Sequence, residues 1–277
     1  MIREIDSKII ESAVCGLFKR AAVDLPRDVY NSMRRAISEE SDERAADVMR
    51  NLCANAKTAA KTGVPICQDT GMAFVFSEIG QDVHISGGFE RAVNNGVKKA
   101  YVGGKLRLSV ADPLTRINTG TNTPAIIYTK LVKGDKIKIT VMPKGFGSEN
   151  MSKLKMFNPT ASIEDIITFV CDAVKTADAN PCPPIIVGVG IGGSFDYSAF
   201  LAKKALTHTV GKYDKKNGDI EKRLLEAINE LNIGPQGFGG KTTCLWVGVE
   251  TSPTHIAGLP VAVNISCHAT RHASIVL

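Results

Sequence analysis

The sequence has no apolar run long enough to cross a membrane, and its opening, Met1-Ile2-Arg3-Glu4-Ile5-Asp6, is not a signal peptide. No membrane association is expected. No block of like charges appears either, although the formal net charge is +6. That argues against a nucleic-acid arm; the dispersed excess of lysine and arginine suits mild attraction of small anions. Close-set cysteine pairs of the zinc type are missing, and the seven cysteines are odd in number and widely spaced. A chain of 277 residues needs no disulfide staples. A reducing, cytoplasmic setting is therefore expected, with any special thiol serving a metal or catalysis.

What is present is ordinary globular material, 44% hydrophobic and 22% charged. The expected fold class is α/β (or α+β): a helical N-terminal region over residues 1–60, then alternating strands and helices forming mixed sheets flanked by helices over 61–277. Ile9, Ile10, Ala13, Val14, Leu17, Phe18 and Ala21 recur at the spacing of one buried helix face. Pro26 opens a second helix, and Met49, Leu52, Cys53 and Ala56 mark a third. Strands are expected at Met72–Ile79, Val83–Ile85, Ala125–Val132 and Lys136–Met142, with a helix at Phe89–Tyr101. Gly134-Asp135 between the last two strands suggests a hairpin. Ile163–Ala177 reads as a helix, and Ile185–Val189, Thr243–Val249 and Val261–Ile265 as strands.

Four cysteines fall on or beside apolar stripes or strands: Cys15, Cys53, Cys171 and Cys244. They read as packing residues. Three stand apart. Cys67 lies in Pro65-Ile66-Cys67-Gln68-Asp69-Thr70-Gly71, where proline and glycine bracket a run of polar, chemically able side chains. Cys182 sits among three prolines in Asn180-Pro181-Cys182-Pro183-Pro184, and Cys267 follows the last expected strand. Separations of 115 and 85 residues between them, without a fourth such thiol, suit an iron–sulfur cluster with one iron left open.

Two glycine motifs point elsewhere. Gly188-Val189-Gly190-Ile191-Gly192-Gly193 satisfies a dinucleotide pattern, but the stretch about twenty residues on is polar and basic, without the expected acidic residue. Gly234-Pro235-Gln236-Gly237-Phe238-Gly239-Gly240-Lys241-Thr242 resembles a phosphate loop with proline where its first glycine belongs. Either run could still cradle a small anion.

The Cys67 and Cys182 motifs, the Gly234–Thr243 run and Pro253-Thr254-His255-Ile256-Ala257-Gly258-Leu259-Pro260-Val261-Ala262-Val263-Asn264 together resemble the class I, iron–sulfur-dependent fumarase and tartrate dehydratase family. More specifically they resemble the separate alpha subunit of its two-subunit forms, over nearly the whole chain. The resemblance implies a 4Fe-4S cluster held by Cys67, Cys182 and Cys267. It implies substrate contacts from Gln68, Asp69, Arg107 and a backbone amide at Gly147 in preference to Gly145, and catalytic roles for Asp69 and His255. The remaining groups would come from a beta subunit, in a homodimer or heterotetramer. The reaction implied is reversible hydration of fumarate to L-malate, with L(+)-tartrate dehydration as the close alternative. A non-catalytic cluster- or anion-binding subunit is the alternative of a different class.

Overall fold

The computed structural model describes residues 2–277. The chain runs through β1 (Arg3–Asp6), α1 (Ser7–Val23), α2 (Arg27–Glu39), α3 (Glu43–Thr62), β2 (Met72–Gly80), β3 (Val83–Ser86) and α4 (Phe89–Gly103). It continues with β4 (Ile126–Val132), β5 (Ile137–Lys144), α5 (Phe146–Glu149), β6 (Lys153–Phe157), α6 (Ile163–Ala177), β7 (Ile185–Gly192) and α7 (Phe195–Ala205). Last come α8 (Gly218–Asn229), β8 (Cys244–Ser252), β9 (Leu259–Ser266) and β10 (Ala273–Val276). Helices and mixed sheets alternate, as the sequence pattern implied. Among the described residues no helix is long and apolar enough to cross a membrane.

The chain divides into two compact units. The first takes the chain as far as Pro26, then Ala56–Phe146 and Arg271–Leu277. Its main sheet has the order β10-β5-β2-β4. Helices α1 and α4 bring Val14, Phe18, Val93, Val97 and Tyr101 into one core with Val75, Ile139 and Val141 of the sheet. The α1 stripe runs through Ile10, Val14, Leu17, Phe18 and Ala21, whereas Ile9 is 51% exposed. A helix turns about 100° per residue, so the position beside the stripe faces away.

The hairpin expected at Gly134-Asp135 does not form. β4 pairs in parallel with β2, and β5 pairs antiparallel with β2 on its other side. The intervening turn crosses the end of β2, taking hydrogen bonds from Gly80 N to Lys136 O, Gln81 N to Val132 O and Asp82 N to Gly134 O. The reason lies in β2, whose run Met-Ala-Phe-Val-Phe is apolar on both faces and belongs in a sheet centre. A β4–β5 hairpin would have left it at an edge.

The second unit is Arg27–Asn55 with Gly147–Thr270, around a sheet of order β6-β9-β7-β8. β7 is parallel to β8 and antiparallel to β9, and β6 is antiparallel to β9. Its core joins Val170 and Val174 of α6 and Leu224 and Ile228 of α8 to Val187, Val247 and Val263. A reciprocal Ser162–Asp165 capping box starts α6. The glycines that mimic a dinucleotide motif have a packing role. A Cβ at Gly188 would stand 2.1 Å from Ala202 O, and one at Gly190 2.1 Å from Ser198 O. Helix α7 thus lies directly on β7.

Candidate active site

In the first unit the Cys67–Gly71 loop enters β2 and is fixed by side chains from far along the chain. Three successive carbonyls are bound. Arg271 Nη2 donates to Asp69 O at 2.7 Å, Tyr101 Oη donates to Thr70 O and Gly71 O at 2.9 and 3.0 Å, and Asn122 Nδ2 donates to Gly71 O at 3.1 Å. Asn122 is itself held, its Oδ1 accepting from Ser109 N and Val110 N. Gly71 has φ +83°, and a Cβ there would meet the backbone of Pro143 and Lys144 at 2.7 Å. Only glycine fits that position. Burial raises the Tyr101 phenol above its usual range, opposed by the nearby charge of Arg271 and reinforced by that of Asp69. The hydroxyl is therefore a fixed donor.

Asp69 is half-buried, and its two oxygens accept from Gly71 N at 3.0 Å and Phe146 N at 2.8 Å. Gln68 is exposed beside it. Thr70 Oγ1 donates to Arg107 O at 3.1 Å, which joins the Arg107 segment to the same loop. Leu106 is buried and Leu108 packs partly on the core, while Arg107 between them is exposed. Gln68, Asp69 and Arg107 are thus brought together on one end of the first sheet.

In the second unit the antiparallel pairing of β7 and β9 matches Ile186 with Ser266. That register puts the turn carrying Cys182, just before β7, at the same sheet end as Cys267, just after β9. His268 joins them, its Nδ1 3.1 Å from Cys182 O. Gln236 adds two donors to Pro183 O, from its backbone N at 2.7 Å and Nε2 at 2.6 Å. Cys182 is exposed and adopts φ +56°. The α5 segment is anchored at this end as well. Lys203, 5% exposed, pairs with Glu149, while Asn264 Nδ2 bonds Glu149 Oε2 and Ser152 Oγ. A Cβ at Gly147 would meet nothing within 4 Å, so the approach to its backbone is open.

His255 is elsewhere. It lies in the β8–β9 loop, at the opposite end of the second sheet from Cys182 and Cys267. The eight residues of β9, at roughly 3.3 Å each, put about 25 Å between them. Ala257 N donates to His255 Nδ1 at 3.1 Å, so Nδ1 acts as an acceptor and Nε2 is the ring nitrogen left for other contacts. His255 itself is exposed.

None of the seven cysteines is in a disulfide, and the donor chemistry divides them. Cys182 is exposed and Cys67 and Cys267 are partly so, each outside regular structure. Burial pushes the Cys244 thiol up to about 12 and also raises Cys171, which suits neither for service as a thiolate. Exposed loop thiols fit a cluster; buried ones do not. Among the described residues no three His, Cys, Asp or Glu side chains are gathered at metal-binding distance.

The second glycine motif has an internal anion. Glu40 accepts from Lys241 N through Oε1 and Oε2, at 2.9 and 3.0 Å, and from Thr242 N at 3.1 Å. Burial works against its charge, but these backbone donors prevail and hold the carboxyl below its usual range. A carboxylate from α2's end already occupies the place of a bound phosphate. Nucleotide binding is not supported there.

Comparison with known proteins places this arrangement. Residues 11–276 match the family described as fumarate hydratase (Fumerase). The chain is 43% identical to a putative L(+)-tartrate dehydratase subunit alpha of Methanocaldococcus jannaschii, covering 95% of this chain and 96% of that one. It is 29% identical to the L(+)-tartrate dehydratase subunit alpha of Escherichia coli K12, covering 91% and 86%. The chain belongs to the fumarate hydratase family of hydro-lyases.

Proposed function

We propose that this chain is the alpha subunit of an iron–sulfur hydro-lyase that reversibly hydrates fumarate to L-malate. The observation that carries the reading is the locked Asp69–Gly71 backbone, which presents Gln68, Asp69 and Arg107 together beside a partly exposed thiol. L(+)-tartrate dehydration is the second reading, favoured by what the relatives are named. In either case Arg107, exposed, binds a substrate carboxylate through two parallel N–H donors. The Gln68 amide and the open Gly147 N–H donate to carboxylate oxygens. Asp69, whose oxygens already accept backbone N–H groups, accepts from the substrate hydroxyl through a remaining lone pair.

Cys67, Cys182 and Cys267 are the residues proposed to hold a 4Fe-4S cluster. When bound it supplies Lewis acidity to the leaving hydroxyl. A beta subunit would contribute the remaining groups. His255, about 25 Å from Cys267 along its own sheet, serves such a site from a second copy of the chain, in keeping with a homodimer or heterotetramer.

The test is anaerobic reconstitution with the beta partner, assayed on malate, fumarate and tartrate. Turnover of at least one is expected, with little from the cluster-loaded alpha chain alone. Absence of turnover on all three contradicts the reading. Mixing inactive His255→Ala and Cys182→Ser variants should restore activity in hybrid assemblies, because each contributes the half that the other lacks. Failure to complement rules out the role of the second copy.

A further inference from the structure

Arg271 is 2% exposed, yet among the described residues its guanidinium makes one hydrogen bond, from Nη2 to Asp69 O. Nε and Nη1 are buried with no hydrogen-bond partner among the described residues. A guanidinium offers five donors and is always charged, and a buried charge left unpaired is strongly unfavourable. A structure that keeps one has a use for it. The neighbouring groups sharpen the point. Tyr101 and Asn122 bind the next two carbonyls of the same loop but are neutral. The Asp69 carboxylate, the obvious counter-charge, turns instead to Gly71 N and Phe146 N. Positive charge therefore remains beneath the Gln68–Asp69 loop, with no ion pair to Arg271 among the described residues.

We propose that Arg271 is a positioning residue of the dicarboxylate site: it fixes the Asp69 carbonyl, and its unneutralised charge gives the Gln68–Asp69 loop the positive potential a bound dianion needs. The inference rests on the hydro-lyase reading for its ligand but not for its geometry. Arg271 does not touch substrate, since its free edge is closed to solvent. It acts through the loop. The charge also explains why arginine, and not a neutral donor such as its companions, stands there.

Arg271→Gln and Arg271→Lys separate the two parts, the first neutral and the second still charged. Hydrogen–deuterium exchange on the cluster-free chain reads the clamp. In Arg271→Gln the Gly71 and Phe146 amides should exchange at least tenfold faster, while those of β7 and β9 stay as in the parent. Unchanged exchange overturns the clamp whatever the enzyme does. In the two-chain enzyme, Arg271→Gln should raise KM for the dicarboxylate at least tenfold with kcat within threefold, and Arg271→Lys should keep KM within threefold of the parent. Equal KM in the two variants overturns the charge role. If the parent enzyme turns over no dicarboxylate, the hydro-lyase reading has failed, and exchange alone decides the clamp.

Discussion

The two four-stranded sheets share one plan. In each, a central strand (β2 or β7) has a parallel neighbour on one side and an antiparallel neighbour on the other, with a further antiparallel strand beyond. The candidate residues gather where the central strand begins and its antiparallel neighbour ends: Cys67–Gly71 and Gly145 in the first unit, Cys182 and Cys267 in the second. What differs is how the loops are held. In the first, Arg271, Tyr101 and Asn122 bind three consecutive carbonyls and leave few degrees of freedom. In the second, His268 and Gln236 tie down the Cys182 turn, and its thiol faces outward. One end is built to orient polar side chains; the other presents thiols.

The largest effect should come from breaking the thiol set. Serine at Cys67, Cys182 or Cys267 is expected to remove most iron and sulfide from anaerobic protein, together with activity. Serine at Cys53, 5% exposed on the helical stripe, or at half-buried Cys171 should leave cluster content intact. Iron and sulfide analysis of all five variants decides it. Normal content in Cys182→Ser would remove that residue from the ligand set.

Next in size is a test of the rigid end. Gly71→Ala places a Cβ against backbone at φ +83°, combining a left-handed conformation with overlap that side-chain motion cannot relieve. A loss of about 3 kcal/mol or more is expected from strain and overpacking together. Gly147→Ala, with nothing within 4 Å, should change stability by less than about 0.5 kcal/mol, as an ordinary surface substitution does. Denaturant unfolding of both cluster-free variants measures the contrast. Comparable losses would mean that the two glycines are not held differently.

Much of this was legible in the sequence, and the exceptions have physical causes. Helix α6 runs from Ile163 to Ala177 as its apolar spacing implied. Strands β1, β6 and β10 gave no signal, being four or five residues long and largely exposed at sheet edges. The hairpin was misread because turn chemistry is local and strand pairing is not. The residues that hold the Cys67 loop were missed for the same reason. Tyr101 only closes the expected helix Phe89–Tyr101 and Arg271 carries no local signal, because their carbonyl partners lie 31 and 202 residues away. A cation amid small residues near Cys267 was the one available hint. For His255 the information is in the sequence: a strand is expected between it and Cys267, and its length already separates the two.

An acid titration probes the second unit. His208, followed by Lys204, holds the Glu250 carboxyl down to about 2 against the opposing effect of burial. A depressed carboxylate stabilises the fold fully above its unfolded value of 4.5, and that contribution fades as pH falls toward 2. The interval corresponds to at most about 3.4 kcal/mol at 1.36 kcal/mol per unit. Glu250→Gln should therefore lower stability at neutral pH and flatten the decline between pH 4.5 and 2. An acid limb as steep as the parent's would show that other carboxylates govern it.

The smallest effect falls on the first unit and asks how far its carbonyl clamps are redundant. Tyr101→Phe removes one buried hydroxyl that serves two acceptors. Gly71 O keeps Asn122 Nδ2, but Thr70 O, which has no other hydrogen bond among the described residues, is left buried and unpaired. The ring survives, so its contact with Phe18 at 5.8 Å and its place in the core are unaltered. The expected cost is about 1–2 kcal/mol, that of one orphaned carbonyl rather than of a cavity. Because Thr70 also fixes Arg107 O, the loss should loosen the arginine segment as well, seen as faster amide exchange around residues 106–108. Asn122→Ala frees the Ser109 and Val110 amides and should loosen the neighbouring stretch instead. If both variants speed exchange at the same residues equally, the three carbonyls are held as one unit rather than by separate clamps.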